Sequence, residues 1–326
     1  MKIAFVGKGG SGKTTLSSLL VRHLSATGRP VMAIDADINQ HLGEALGLAP
    51  ADSAAIPAMG AHVTEIKEYL RGTNHRIGSA QAMVKTTPPG QGSRLLRPGG
   101  DDPVHQRFAR PVGGARLMVT GPFSEDELGV ACYHSKTGAV ELYLNHLIDE
   151  AGEYVVVDMT AGAESFASGM FTRFDMTFLV AEPTRKGVSV YRQWTQYAAD
   201  YDVALAVVGN KVQSDEDVAF LRDQVGEDLL GWFVQSPAVR AMEQGRHFDL
   251  DDLEQHNRNL LANLQAAVDN HPRDWAKFTR QAIEFHYKNA AAWANRATGQ
   301  DLTAQIDPDF VMGPQALTAR QPAPTG

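Results

Sequence analysis

Gly7-Lys8-Gly9-Gly10-Ser11-Gly12-Lys13-Thr14-Thr15 follows the apolar run Ile3-Ala4-Phe5-Val6 and precedes Leu16, Leu19, Leu20 and Leu24. Gly7, Gly12, Lys13 and Thr14 satisfy G-x-x-x-x-G-K-[ST], the phosphate-binding loop. The flanks suit it: a short apolar run reads as a buried strand, and leucines at helical spacing read as an amphipathic helix. Glycines let the loop curl so that its N–H groups face phosphate. The helix that follows adds the positive end of its dipole. Gly9, Gly10, Ser11, Gly12, Lys13, Thr14 and Thr15 are therefore the candidate nucleotide-binding loop, with Lys13 on the β- and γ-phosphates and Thr14 on Mg²⁺.

The rest of the chain supplies the setting. Its 326 residues are 43% hydrophobic and 21% charged, as in an ordinary globular protein. Apolar runs alternate with amphipathic stretches. Strands are expected at 2–6, 31–34, 116–120, 154–157, 176–180, 204–208 and 229–234. Helices are expected after the loop and at 40–46, 138–149, 166–172, 187–197 and 215–225. That alternation predicts an α/β fold, a doubly wound, mostly parallel sheet flanked by helices. Residues 86–114, rich in proline and glycine, read as a long loop within a domain of residues 1–250. Residues 251–300 read as a C-terminal helical extension, with Leu253, Leu260, Leu261, Leu264 and Val268 on one helix and Trp275, Phe278, Ala282, Phe285 and Trp293 along the next. Residues 301–326 read as a largely irregular tail, disordered from 315.

Charge and cysteine usage narrow the setting. A net charge of −8 argues against non-specific nucleic-acid binding. No apolar run is long enough to span a membrane. Cys132, the single cysteine, rules out an intrachain disulfide and suits a reducing, cytoplasmic compartment. The chain enters a core strand at once, so no signal peptide is expected ahead of it.

Two strands end in carboxylates. Val31-Met32-Ala33-Ile34 leads to Asp35 and Asp37, and Tyr154-Val155-Val156-Val157 leads to Asp158. Ligands bind at that edge of an open parallel sheet. Asp158 reads as a water-mediated Mg²⁺ holder, with Asp35 beside it, and Asp37 as the group that orients or activates water. Gly162, just beyond, is placed to offer its N–H to a γ-phosphate. Asn210 and Lys211 close the strand near 208; an amide there can both donate to and accept from an adenine edge. Pro237, after the last strand, is counted with the same nucleotide-binding set.

Lys8 is not required by the general motif. Lys8-Gly9-Gly10-x-Gly12-Lys13-Thr14-Thr15 resembles the deviant loop of the ATPase class that includes cell-division positioners, plasmid partitioners, nitrogenase iron protein and metallocentre-maturation ATPases. That resemblance implies a nucleotide-dependent homodimer in which Lys8 reaches the partner's phosphates. With residues 35–47, 158–164, 180–183 and 209–212 added, the chain resembles the carbon monoxide dehydrogenase maturation ATPases, which support nickel insertion. In that family a C-x-C pair from each subunit forms a metal site. Here Cys132 and His134 stand at those two positions, which implies an intersubunit Cys₂His₂ site for zinc or nickel. The family has Glu-His after the second switch and proline in the first; this chain has Glu164-Ser165 and Ile38. The resemblance implies a Mg²⁺-dependent ATPase with a protein client. The alternative is a positioning or regulatory switch acting on a protein partner without metal. The acidic charge and the absence of a basic amphipathic C-terminal helix count against a DNA- or membrane-bound positioner.

Overall fold

The computed structural model describes residues 1–122, 133–159, 166 and 169–318; for 133–135 and 197–198 the backbone alone is described. Eight strands form one sheet: β1 (Lys2–Val6), β2 (Val31–Ala36), β3 (Arg110–Val112), β4 (Ala115–Val119), β5 (Tyr154–Met159), β6 (Met176–Ala181), β7 (Leu205–Val212) and β8 (Leu229–Val234). Their order is β3-β4-β2-β5-β1-β6-β7-β8, parallel throughout except for the antiparallel β3 edge. The helices are α1 (Lys13–Ser25), α2 (Leu42–Ala45), α3 (Pro50–Ala54), α4 (Val63–Arg71), α5 (Pro103–Phe108), α6 (Tyr133–Asn145), α7 (Ser189–Ala198), α8 (Asp215–Val225), α9 (Pro237–Glu243), α10 (Gln255–Asp269), α11 (Trp275–Asn289), α12 (Asn295–Thr298) and α13 (Pro314–Thr318).

Strand alternation distributes the core. Ile3 and Phe5 of β1 face a layer built by Leu16, Leu19, Leu20 and Leu24 of α1 and by Leu260, Leu261, Leu264 and Val268 of α10. Ala4 and Val6 face the opposite layer, with Val140 and Leu144 of α6, Trp194 of α7 and Leu221 of α8. Both faces of the sheet are covered, so its central strands read as continuous apolar runs rather than alternating ones. The first helix of the C-terminal extension thus shares a core with the P-loop helix. From β1 the chain winds out to β2 and β4, returns to β5, then crosses to β6, β7 and β8. The loop after β1 therefore stands at the point where the winding changes direction, where such sheets bind ligands.

Three sequence expectations change. Residues 86–114 carry α5 and β3 rather than loop alone. Pro103 is in the first turn of α5, and the Asp102 side chain caps it by accepting from the His105 N–H at 3.1 Å. Pro111 fits because β3 is an edge strand that can do without its N–H. Residues 169–172 form a 3-10 turn where a helix over 166–172 is expected. Gly169 sits hard against α11: a Cβ there would lie 2.7 Å from the Phe285 ring. Residues 301–318 pack down: Gln305 donates to the Ala82 carbonyl at 2.8 Å, Gln91 N–H donates to Asp307 at 2.9 Å, and Ala316 of α13 is buried. Residues 319–326 lie outside the described residues.

Candidate nucleotide site

The loop after β1 takes the form its glycines dictate. Gly12 has φ +92°, and a Cβ on it would lie 2.0 Å from the Asn210 amide nitrogen, so conformation and contact both require glycine. Gly7 passes so close to β6 that a Cβ would lie 2.7 Å from the Val180 carbonyl oxygen. Lys13 then opens α1, whose free N–H groups and dipole favour an anion.

The carboxylates meet that helix end. Lys13 Nζ is 2.6 Å from Asp37 Oδ2, and the Thr14 hydroxyl donates to Asp158 Oδ2 at 2.6 Å. Asp35 lies opposite Asp158 in the β2–β5 register. Its two oxygens accept the N–H groups of Asp37 (3.1 Å) and Leu42 (2.8 Å), so Asp35 shapes the turn that presents Asp37. Gln40 holds the same turn from a left-handed conformation (φ 53°), donating to the Asp37 carbonyl and accepting from Gly121 N–H.

Burial and mutual repulsion set the protonation of this group. Burial, then the charge of Asp158, push Asp35 up to about 8. Burial pushes Asp158 up to about 6 against the pull of Lys13 and Thr14. Burial would also raise Asp37, but hydrogen bonds from Lys13 and Asn39 outweigh it and hold Asp37 below the usual carboxylate range. Burial opposes the charge on Lys13, yet Asp158, Asp37 and Asp35 hold its ammonium above the ordinary lysine value. Such opposed shifts within one cluster mark a site arranged for charge rather than for stability.

The residues fit a hydrated Mg²⁺. Asp158 Oδ1 is buried without a hydrogen-bond partner, while Oδ2 takes the Thr14 hydroxyl. An oxygen-only donor set of this kind suits a hard cation that keeps several waters. Among the described residues, no three His, Cys, Asp or Glu side chains gather as a direct metal cluster. Cys132 and Gly162 lie outside the described residues, and His134 falls in the first turn of α6, where the backbone alone is described.

A cavity of about 900 Å³ opens over the head of α1, lined by Gly12, Lys13, Thr14, Thr15, Asn210 and Ser236 among others. Ser236 caps α9, accepting from Val239 N–H, and both line the cavity; Pro237 is the first residue of that helix and is not a lining residue. Two acidic side chains go unassigned in the sequence reading. Glu243 of α9 accepts from the Thr15 hydroxyl at 2.8 Å, and Glu182 at the end of β6 pairs with Lys211 at 2.5 Å. Glu182 falls within a stretch that the sequence comparison singled out, whereas nothing local marks Glu243. Asn210 donates to the Ser11 carbonyl at 2.7 Å and Lys211 to the Gly10 carbonyl at 2.7 Å. Lys8 lies within the field of Glu182, while Asp35, Asp37 and Asp158 do not act on it. Lys186 beside it holds its ammonium below the ordinary lysine value.

A strand, a curled glycine loop, a helix bearing Lys13 and Thr14, and a strand-end Asp158 on that threonine define a P-loop nucleotide-binding protein. Within that class the chain belongs to the CobQ/CobB/MinD/ParA nucleotide-binding domain family, whose profile matches residues 3–294. It is 31% identical over 248 residues to the carbon monoxide dehydrogenase accessory protein CooC of Rhodospirillum rubrum, covering 75% of this chain and 87% of that one. It is also 31% identical over 230 residues to an ATP-binding protein of Methanocaldococcus jannaschii, covering 70% and 81%. In fold it resembles the cell division ATPase MinD of Pyrococcus furiosus, with a TM-score of 0.54 at 16% identity over 82% of this chain and 98% of that one. The MinC:MinD complex of Aquifex aeolicus gives 0.52 at 17% identity, covering 84% and 97%. Among the described residues no helix is long and apolar enough to cross a membrane.

Proposed function

We propose that this chain is a Mg²⁺-dependent ATPase acting as a nucleotide-gated homodimer in metallocentre assembly on a protein client, in a reducing cytoplasm. The observation that carries the ATPase reading is the head of α1, where Lys13 and Thr14 each meet a strand-end carboxylate. Similarity to the carbon monoxide dehydrogenase accessory protein supports the assembly role.

Lys13 exchanges Asp37 for the β- and γ-phosphates of ATP. Asp37 is then free to accept a hydrogen bond from the attacking water. From that position Asp37 orients the water for in-line attack. The water oxygen bonds to the γ-phosphorus, the bond to the β–γ bridging oxygen breaks, and the water's proton leaves with the phosphate. Thr14 and Asp158 would hold Mg²⁺, which when bound neutralises charge on the β- and γ-phosphates. The Gly162 N–H serves the γ-phosphate, and Lys8 completes the partner's site by stabilising charge on the transferring group. Cys132 and His134 of each subunit carry zinc or nickel between protomers as cargo.

ATP turnover with and without Mg²⁺, and metal content per dimer after exposure to zinc or nickel, test this reading in the wild type, Lys13→Ala and Cys132→Ala. The reading expects Mg²⁺-dependent turnover that Lys13→Ala abolishes, and about one metal per dimer that Cys132→Ala loses. Full turnover in Lys13→Ala overturns the ATPase. Turnover with no metal in any nucleotide state removes the assembly role and leaves a switch that acts on a protein partner.

A further inference from the structure

Lys211 is one of three non-glycine residues with positive φ among those described, at 59°. It sits where β7 departs from regular pairing with β8, between Gly209 and Val212. A lysine in this conformation is uncommon and costs strain. Its ion pair with Glu182 does not account for that cost, because the two side chains are 55% and 30% exposed and exposed pairs add little stability. The bulge instead aims the ammonium at the P-loop, where it meets the Gly10 carbonyl at 2.7 Å while Glu182 holds its other side.

The peptide plane makes the consequence specific. The Gly10 carbonyl and the Ser11 N–H belong to one rigid trans unit and point opposite ways. The Ser11 N–H donates to the Lys8 carbonyl at 2.9 Å, closing the turn from Lys8 to Ser11. Lys211 therefore fixes the turn that carries Lys8. Its neighbour Asn210 fixes the next plane through the Ser11 carbonyl, which turns the Gly12 N–H away from β7.

We infer that Glu182 and Lys211 form a clamp that positions the P-loop for the phosphates, so that Lys211 acts on the loop rather than on the base. This rests on the nucleotide-binding reading above. The test is binding of Mg-ATP and of Mg-tripolyphosphate, a probe with no base or sugar, to the full chain. The variants are Lys211→Met, Lys211→Arg and Glu182→Gln, each with its thermal midpoint. Lys211→Met weakens both probes equally, by about tenfold, the scale of a lost hydrogen bond to a charged group, with no change in melting. Lys211→Arg recovers part of the loss, and Glu182→Gln gives a smaller loss on both probes. Loss of ATP binding with tripolyphosphate binding intact assigns Lys211 to the base and overturns the clamp. So does a Lys211→Met chain that binds both probes normally. A wild type that binds neither probe overturns the nucleotide-binding reading itself.

Discussion

The two ends of the parallel sheet bury the same kind of charge and treat it oppositely. At the end that carries the P-loop, Asp35 and Asp158 are 1% and 0% exposed, and both carboxyls are pushed up. At the other end Asp149, also 0% exposed, is held far below the usual carboxylate range. Burial would raise Asp149 too, but Lys2, the α-amino group of Met1 and Arg273 outweigh it. Lys2 Nζ lies 2.8 Å from one carboxylate oxygen and Arg273 meets the other. Lys2 is also stacked 4.5 Å from the centroids of Trp275 and Phe278. That end ties β1, the segment after α6 and the start of α11 together, and there each oxygen of the buried carboxylate is matched by a cation, with Asp175 3.8 Å from Arg273 as a second anion. The P-loop end leaves negative charge in excess of Lys13, which suits a site awaiting a cation and a phosphate chain. Breaking a matched cluster costs stability; relieving a mismatched one costs function.

The largest expected effect is on turnover. Lys8→Ala slows ATP hydrolysis by about a thousandfold, the scale at which a cation supplied from a partner acts on phosphoryl transfer. Lys8 is apart from the carboxylate cluster, so ATP affinity and melting stay unchanged. Turnover equal to wild type would remove its cross-subunit role, and equal loss of binding and turnover would place it on its own subunit's phosphates.

At the opposite end, Asp149→Asn destabilises the fold by about 3–5 kcal/mol, because it leaves Lys2 buried without its counter-charge and Arg273 with Asp175 alone, 3.8 Å away. Urea unfolding at neutral pH reads this directly. The carboxyl's pKa is depressed in the folded state, so its contribution is complete above the unfolded value of about 4 and is lost as pH falls below it. The gap between wild type and variant therefore closes in acid. A gap that widens below pH 4 contradicts the matched-cluster reading.

The two ends also differ in how far local sequence reveals them. The P-loop, its helix and the strand-end Asp35, Asp37 and Asp158 are local patterns: an apolar run, then glycines or a carboxylate. Asp149 resembles any aspartate following a helix, and its partners Lys2 and Arg273 lie more than 100 residues away on either side. The same distance hides Glu243, which reaches Thr15 across 228 residues, and Lys211, whose P-loop contact spans 201. Asn210 and Lys211 are named from the sequence and line the cavity, but their contact with the loop depends on the bulge in β7, which no periodicity reports. Proline and glycine content suggests an open loop at 86–114, yet Pro103 and Pro111 stand at a helix start and an edge strand, two places that accept proline.

The smallest effect is the sharpest test of the contrast. Asp158→Asn keeps an oxygen for the Thr14 hydroxyl and removes one negative charge from a buried group that repels Asp35 and Asp37. Even with the attraction of Lys13 and the Thr14 hydrogen bond included, the Asp158 carboxyl is raised to about 6, so its anion is disfavoured in the folded protein. The nucleotide-free variant is therefore more stable than wild type by about 1 kcal/mol, a gain of the size typical when a functional site is relieved. Mg²⁺-dependent turnover falls by at least about a hundredfold in the same variant, as when one preorganised electrostatic contact to the transition state is lost. Opposite signs for stability and activity are what a mismatched cluster requires. If Asp158→Asn destabilises the nucleotide-free protein as Asp149→Asn does, both ends of the sheet are structural clusters and the distinction between them falls.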